Sequence, residues 1–354
     1  MKKCYINGVG CVSAQKTFGE GFLDEVIVNK DNNVLEISQP DYKEFIAPAA
    51  GRRMAKGVKN GIVASAMALK EAGLDQPDAI ITGTGMGCVV DSEKFLKAIL
   101  DNNEEFLTPT SFIQSTHNTV GGQIALGLQC KAYNFTYVNG AVSFESALID
   151  AQLQIDEGEA NAVLTGGVEE AGEATMHFLE IKGNIKSKGQ TDYDVLTSTS
   201  KGAVFSEGAV FFVLSGDKQQ TTYAELKDVS ICNVLEKDEV EGKMKDFLKH
   251  NNLDISDIDA VVLGYNGDVE FDGYYNELAK NTLSNIPQLY YKHLSGEFNT
   301  ASAFGLWLAS QVIKKQYIPS AVLINSIEKK EYKNIVLYNQ YKGKDHSFTL
   351  VSKC

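Results

Sequence analysis

Short apolar runs bounded by glycine alternate along the chain with longer segments in which apolar residues recur three and four positions apart. The short runs predict strands that are buried on both faces, and the longer periods predict amphipathic helices, so the pattern is typical of an α/β protein. The predicted strands are 79–83, 162–166, 209–215, 260–264, 335–339 and 348–352, and the start of the chain reads as a further buried strand. The predicted helices are 61–72, which ends at a capping Gly73, 143–155, 241–249 and 301–314.

Two stretches of the chain are similar in sequence. Residues 68–87 read ALKEAGLDQPDAIITGTGMG, and residues 247–268 read FLKHNNLDISDIDAVVLGYNGD. We interpret this internal similarity as evidence of two similar halves, residues 1–216 and 217–354. They would be joined near the polar stretch GDKQQTT at 216–222. Chance similarity between two α/β crossovers is the alternative.

Residues 134–151, NFTYVNGAVSFESALIDA, predict a strand, a sharp turn at 139–143 and a helix. Such an elbow directs the unpaired N–H groups of the helix, and the positive end of its dipole, at the turn, which suits a nucleophilic side chain such as cysteine. This chain has Gly140, Ala141, Val142 and Ser143 there.

Together with this elbow, five motifs lie in one order along the chain: YINGVGCVSA near the start, GRRM at 51–54, PTSFIQSTHNTVGGQIA at 109–125, GEANAVLTGGVEE at 158–170 and SKGAVFSEGAVFFVL at 200–214. In that order the sequence resembles the β-ketoacyl synthases of fatty-acid and polyketide assembly over nearly its whole length. The resemblance implies a thiolase-like fold, in which two similar α/β halves stack as five αβαβα layers.

The resemblance also implies a cysteine at the elbow and two histidines from the second half. Ala141 takes the place of the cysteine, and Asn266 and Glu297 take those of the histidines, whereas the family's lysine is retained as Lys292. A methyl group cannot form an acyl-thioester, Glu297 is expected to pair with Lys292, and Asn266 keeps a hydrogen-bond donor. Two alternatives to a native loss of the cysteine are that Ala141 was engineered and that the alignment is shifted by a residue or two.

The closing segment VLYNQYKGKDHSF at 336–348 aligns with a glycine-rich family loop, and Gly343 falls where the family has a gating phenylalanine. Most of the glycines are absent, so we expect that this loop has a different role. Phe112, Ile113 and His117 are predicted to line the substrate tunnel or to face the partner. The alternative for His117 is that its side chain makes a hydrogen bond in the core. Whether the tunnel is open is not decided by the sequence.

The resemblance therefore implies a catalytically degenerate subunit like the chain-length factors of type II polyketide and aryl-polyene pathways. Its partner would be a catalytic ketosynthase in a heterodimer, or a second copy in a homodimer, and an acyl carrier protein would dock mainly on the partner. The alternative is an active non-covalent acyltransferase or malonyl decarboxylase that uses Asn266, Lys292 and Ser143. A third hypothesis is an acyl-binding scaffold without a catalytic partner.

Composition narrows the remaining classes of function. A formal charge of −13, from 33 basic and 46 acidic side chains, disfavours nucleic acid, and no apolar stretch predicts a membrane span. The six cysteines show no metal or disulfide spacing, so we expect a cytoplasmic protein with no cofactor and no metal. Gly83, Gly85 and Gly87 are a weak match to a dinucleotide-binding loop, and residues 268–273 are interpreted as a solvated turn rather than a calcium loop.

Overall fold

The computed structural model describes residues 2–18, 21–29, 31–189 and 192–354. These residues form ten strands and eleven α-helices. The strands are β1 (Tyr5–Val12), β2 (Ala79–Gly83), β3 (Tyr133–Tyr137), β4 (Ala162–Glu169), β5 (Gly208–Ser215), β6 (Ala224–Val234), β7 (Ala260–Leu263), β8 (Gln288–Tyr290), β9 (Asn334–Tyr341) and β10 (Lys344–Ser352). The helices are α1 (Pro48–Gly51), α2 (Lys56–Ala72), α3 (Val89–Asp101), α4 (Pro109–Gln114), α5 (Thr119–Leu128), α6 (Ser143–Glu157), α7 (Glu173–Ile181), α8 (Val240–His250), α9 (Gly273–Lys280), α10 (Lys292–Ser295) and α11 (Ser302–Lys315).

Every strand and helix predicted from the apolar pattern is present, with ends that differ by a few residues. β1 is buried along its whole length, as expected for a first strand without polar alternation. Helix α2 ends at Gly73, whose φ of 62° is the left-handed conformation that glycine adopts without a steric penalty. The pattern of apolar runs therefore predicted the strands and helices named above, whereas others, among them β6, α3 and α7, were not predicted from it.

All ten strands lie in one sheet of order β3-β2-β4-β5-β1-β6-β10-β9-β7-β8. A short antiparallel contact of Tyr5 and Ile6 with Glu225 and Ala224 joins its two runs of five strands. Read outward from that junction, both runs have the same order and the same strand directions: two antiparallel pairings followed by two parallel ones. The repeat of topology agrees with two similar halves, and residues 216–222 form the loop between β5 and β6, although the boundary at residue 216 remains a prediction.

Helices cover both runs of strands and also fill the space between them. The central core combines α6 and α11 with side chains from strands of both runs, including Phe212 on β5 and Val262 on β7. On the outer faces, α2 and α5 pack on the first run and α8 and α9 pack on the second. The layers are thus helix, sheet, helix, sheet and helix, which is the predicted α/β fold class with its five-layered αβαβα arrangement.

Trp307 lies in the central core, as expected for the one tryptophan on an apolar helix face. No helix in the described ranges is both long enough and apolar enough to cross a membrane. The turn after β7 and the segment around α10 are joined by buried hydrogen bonds, and Glu145 in the first turn of α6 interacts electrostatically with Lys292. This region holds the candidate site.

Candidate functional site

The predicted elbow is present as a strand, a single turn of 3-10 helix and a long α-helix. β3 ends at Tyr137, the 3-10 turn covers Gly140–Val142, and α6 begins at Ser143. Gly140 has a φ of 53°, so a glycine suits the point at which the chain reverses. Ala141 is buried and presents only a methyl group at the start of the helix. The backbone has the geometry of a nucleophile elbow, but its side chain has no nucleophilic atom.

Ser143, two residues after Ala141, is fully buried and bound to the backbone. Its Oγ accepts from the N–H of Asn139 at 2.8 Å and lies 2.7 Å from the carbonyl oxygen of Gly140, to which it donates. These bonds fix the turn that connects β3 to α6. Ser143 therefore acts as a structural residue, which disfavours the alternative in which it takes part in chemistry.

Asn266, Lys292 and Glu297 form one buried cluster. Lys292 Nζ and Asn266 Nδ2 each lie 2.7 Å from the same atom, Oε2 of Glu297. The side chains of Lys292 and Glu297 are 1% and 2% exposed, so the ion pair is almost completely removed from water. The predicted pairing of Glu297 with Lys292 is confirmed.

The turn that carries Asn266 is held by a second buried carboxylate. Asp272 accepts from the N–H of Asn266 at 3.2 Å and from the N–H of Gly267 at 2.9 Å, and Asn266 Oδ1 accepts from the N–H of Asp268. Burial raises the pKa of Asp272 to about 7, although these backbone donors lower it. The interpretation of residues 268–273 as a solvated turn was wrong at Asp268 and Asp272, because both side chains are buried. The turn packs inward, and backbone N–H groups satisfy the carboxylate of Asp272.

Glu145 belongs to the same region and was not identified from the sequence. It lies on the buried face of α6, where its Oε1 accepts from the hydroxyl of Ser347 on β10 at 2.9 Å. Burial raises the pKa of Glu145, and the positive charge of Lys292 opposes that shift. The only available signal was an acidic residue at a core-facing position of a predicted amphipathic helix.

A tight hairpin replaces the glycine-rich loop that the family resemblance implies. Lys342 and Gly343 connect β9 to β10 in two residues with φ of 56° and 67°, which is the signature of a type I′ turn. A Cβ at Gly343 would lie 2.5 Å from the hydroxyl of Tyr274, so the turn has no room for a larger residue. The start of β10 packs against the 3-10 turn at the elbow, with Asp345 beside Gly140.

The loop of Gly83, Gly85 and Gly87 uses its backbone donors within the protein. The N–H groups of Gly85 and Met86 donate to the carboxylate of Glu169, which is fully buried. Burial raises the pKa of Glu169 to about 8. Because a carboxylate of the chain already occupies these donors, the loop has no free nest for a phosphate, and dinucleotide binding is disfavoured.

A small cavity of about 100 Å³ lies beside the cluster, next to Phe298 and Asn299, which follow Glu297 directly. Glu169, Phe205 and Tyr341 form other parts of its wall. This volume is below the roughly 300 Å³ at which typical ligand sites begin. The described residues contain no group of three or more histidine, cysteine, aspartate or glutamate side chains arranged to hold a metal ion.

The residues predicted for the tunnel or the partner side are separated in the structure. Phe112 and Ile113 on α4 are 55% and 58% exposed, and His117 is exposed and lies against Gly87, so His117 does not satisfy a core hydrogen bond. Gly343 is buried in the hairpin turn. Beyond α4 and α5, β3 is an edge strand with Tyr133 and Phe135 exposed, a feature that the sequence did not predict because an edge cannot be recognised without the sheet order.

Comparison with known proteins identifies the class of this fold. Among solved structures, the chain is similar to the ishigamide ketosynthase/chain length factor, with a TM-score of 0.81 and 16% identity over 100% of this chain and 99% of that one. It is also similar to a ketosynthase in complex with its chain length factor from Xenorhabdus doucetiae, with a TM-score of 0.76 and 14% identity over 100% of this chain and 98% of that one. The fold is thiolase-like.

The family follows from the sequence match. A family model described as "Beta-ketoacyl synthase, N-terminal domain" matches residues 23–220, more than half of the chain, which therefore belongs to the β-ketoacyl synthase family. A curated relative, 3-oxoacyl-[acyl-carrier-protein] synthase 2 of Staphylococcus aureus (strain N315), is 24% identical over 192 residues. That match covers 51% of this chain and 45% of the relative, so the chain spans about half the length of the curated relatives it matches.

Proposed function

We propose that this chain is a ketosynthase-fold subunit without condensing chemistry of its own, and that it acts as a chain-length factor for a catalytic β-ketoacyl-ACP synthase. The pathway would be of the fatty-acid or polyketide type, with aryl-polyene synthesis as the nearest example. The observation that carries the proposal is the buried Lys292–Glu297 pair, which lies where the family resemblance implies a histidine.

Three features of the elbow and of the cluster argue against condensation by this chain. Ala141 has no atom that could hold an acyl group as a thioester. Lys292 Nζ and Asn266 Nδ2 both donate to Glu297, so the carboxylate engages one hydrogen of each of these donors. A carboxylate at this place would repel the enolate that forms during condensation, whereas an imidazole N–H would stabilise it.

The exposed edge of the sheet supports association with a partner. Among the described strands β3 pairs with β2 alone, so within this part of the chain its other side offers unpaired backbone N–H and C=O groups. Tyr133 and Phe135 on this strand are 42% and 46% exposed, and α4 displays Phe112 and Ile113. An exposed edge strand with aromatic side chains suits pairing with a subunit of similar fold, and two of the similar structures are described as pairing a ketosynthase with a chain length factor.

A partner that holds the acyl chain would also explain why the cavity beside Glu297 is small. At about 100 Å³, the space beside Glu297 is too small for a growing acyl chain of several units. We infer that the partner's cysteine holds the chain and that the chain grows into a cavity at the shared interface. With a formal charge of −13, this subunit would contribute little to docking an acidic carrier protein, which the partner would bind.

Mixing the purified chain with its cognate ketosynthase and separating the mixture by size tests the proposal. The expected result is a one-to-one heterodimer, while a stable and active homodimer of this chain would refute it. The decarboxylase alternative is tested in the same preparation by incubating the chain alone with malonyl-carrier protein. Release of carbon dioxide above the uncatalysed rate would support that alternative, and we expect none.

A further inference from the structure

A larger cavity, of about 560 Å³, borders the segment that carries Lys292, because His293 and Leu294 belong to its wall. Its wall comes from segments that are distant in the sequence: residues 26–29, residues 193–195, Val204, the β8–α10 junction and Ala321. None of the cluster residues contributes to this wall, and the volume is within the range of roughly 300 to 1,000 Å³ that is typical of small-molecule sites.

The wall is mainly apolar and aromatic. Six aliphatic side chains contribute to it, and so do the rings of Tyr193, Tyr290 and His293. The Tyr290 and His293 rings are stacked with their centroids 3.8 Å apart and their planes inclined by 17°. The aliphatic residues are Val26, Val28, Val195, Val204, Leu294 and Ala321. A ligand with an apolar or aromatic body would therefore find complementary surface on several sides.

Asp194 carries the charge of this cavity. Its Oδ1 accepts from the N–H groups of Leu196 and Thr197 at 2.9 and 3.2 Å, so a local turn fixes the orientation of the carboxylate. No lysine or arginine is found among the described residues that form the wall. One carboxylate beside aromatic rings attracts an organic cation and repels an anion such as a phosphate or a fatty-acid carboxylate.

His293 does not oppose a cation in this cavity. Its Nε2 lies 2.8 Å from the carbonyl oxygen of Ala321, which can only accept, so Nε2 carries the proton and Nδ1 is an acceptor. Nδ1 has no hydrogen-bond partner among the described residues. Burial lowers the pKa of His293 to about 4, so the ring is neutral near pH 7.

We propose that this cavity binds a small hydrophobic amine in its cationic form. The ammonium group lies at the carboxylate of Asp194, and an aromatic or branched apolar body packs against the valine and tyrosine walls. The inference concerns a site separate from the elbow, and its test does not depend on whether the chain acts as a chain-length factor.

Three naphthalene probes with different charges test the proposal: 1-naphthylmethylamine, 1-naphthylmethanol and 1-naphthoate. Affinity measured by titration calorimetry at low salt is expected to decrease in that order, and the preference for the amine is expected to shrink as salt is added. In spectra of the chain labelled at valine methyl groups, the amine is expected to shift the signals of Val26, Val28, Val195 and Val204. Equal or tighter binding of the carboxylate, shifts confined to other valines, or no binding of any probe would overturn the proposal.

A matched pair of variants locates the charge that is recognised. Asp194→Asn keeps the Oδ1 that accepts from Leu196 and Thr197 and removes the negative charge, so the amine should lose about fivefold in affinity while the alcohol is unaffected. The control is Asp254→Asn, because Asp254 accepts from the N–H of Ser256 in a similar turn far from this cavity. An Asp194→Asn variant that binds the amine as tightly as the original chain would contradict the assignment.

Discussion

Lys292 Nζ lies 2.7 Å from Oε2 of Glu297, and the two side chains are almost completely buried at the centre of the fold. Two buried opposite charges stabilise one another only while both are present, because each would otherwise remain unpaired in a medium of low polarity. Asn266 Nδ2 donates to the same oxygen, so all three side chains of the cluster are joined at Oε2 of Glu297. The structure around Glu297 is therefore a packed ion pair rather than an open set of donors.

Breaking this pair is expected to destabilise the protein strongly. Glu297→Ala leaves the ammonium of Lys292 buried and unpaired, so the free energy of unfolding from urea titrations should fall by about 3–5 kcal/mol. The exposed pair Lys245–Glu241 on α8 is the control. Lys245→Ala should lower the free energy of unfolding by at most about 0.5 kcal/mol. The double variant Lys292→Met/Glu297→Leu should lose less stability than Glu297→Ala alone, and a larger loss would contradict this account.

Glu169 should make stability depend on pH. Burial raises its pKa from 4.5 to about 8, so between these values the folded state binds more protons than the unfolded state. The contribution of Glu169 to stability is therefore lost as pH rises through this window, with a slope of at most about 1.4 kcal/mol per pH unit. Glu169→Gln should flatten the measured dependence, and Glu159→Gln, at an exposed position after α6, should not.

If the pH dependence of Glu169→Gln matched that of the original chain, Glu169 would not be the group responsible. Glu170, Asp272 and Glu145 are also buried carboxyls with raised pKa values, so some dependence of the same sign should remain in every variant. The difference between the Gln variant and the original chain is therefore the quantity that tests the prediction.

The hairpin turn at Gly343 tests the tight packing beside the elbow. Gly343→Ala places a side chain on a residue with a φ of 67° and a Cβ 2.5 Å from the Tyr274 hydroxyl, so the free energy of unfolding should fall by at least about 1 kcal/mol. Gly127→Ala is the matched control, because Gly127 is helical and a Cβ there meets nothing within 4 Å. That change should leave stability equal or raise it by up to about 1 kcal/mol.

Adding Tyr274→Phe to Gly343→Ala separates the two causes of destabilisation. Removal of the hydroxyl takes away the contact at 2.5 Å, but the ring carbons Cζ and Cε2 stay 2.9 and 3.0 Å from the new Cβ, so only a small part of the lost stability should return. The strain of the positive φ should remain. No recovery in urea titrations of the double variant would show that the hydroxyl contact is not a cause of the loss.

The β3 edge is expected to be the surface that binds the partner. Phe135→Ser removes an exposed aromatic ring from this strand and should weaken association with the cognate ketosynthase at least about tenfold. Tyr317→Ser, at a similarly exposed aromatic residue just after α11, is the control and should leave the affinity unchanged. Equal affinities for the two variants in surface-binding measurements would place the interface elsewhere.

Periodicity along the chain was sufficient to predict elements such as β2 and α6, which bury nearly every apolar position that defines them. The thiolase-like arrangement of the elements was an implication of the family resemblance. The pairing of Lys292 with Glu297 was predicted from the opposite charges that the family resemblance places at these two positions. The burial of Asp272 could not be predicted, because its compensation comes from the backbone N–H groups of Asn266 and Gly267 in the folded turn. Glu145 was missed for a similar reason, since its partner Ser347 is distant in the sequence.

The most direct test of the central claim is the intact mass of each subunit after a mixture of this chain and its cognate ketosynthase has been exposed to an acyl-carrier donor. We expect the acyl group on the partner alone, with the mass of this chain unchanged, because Ala141 offers no nucleophile and Ser143 is bound to the backbone. An acyl adduct on this chain would contradict the account.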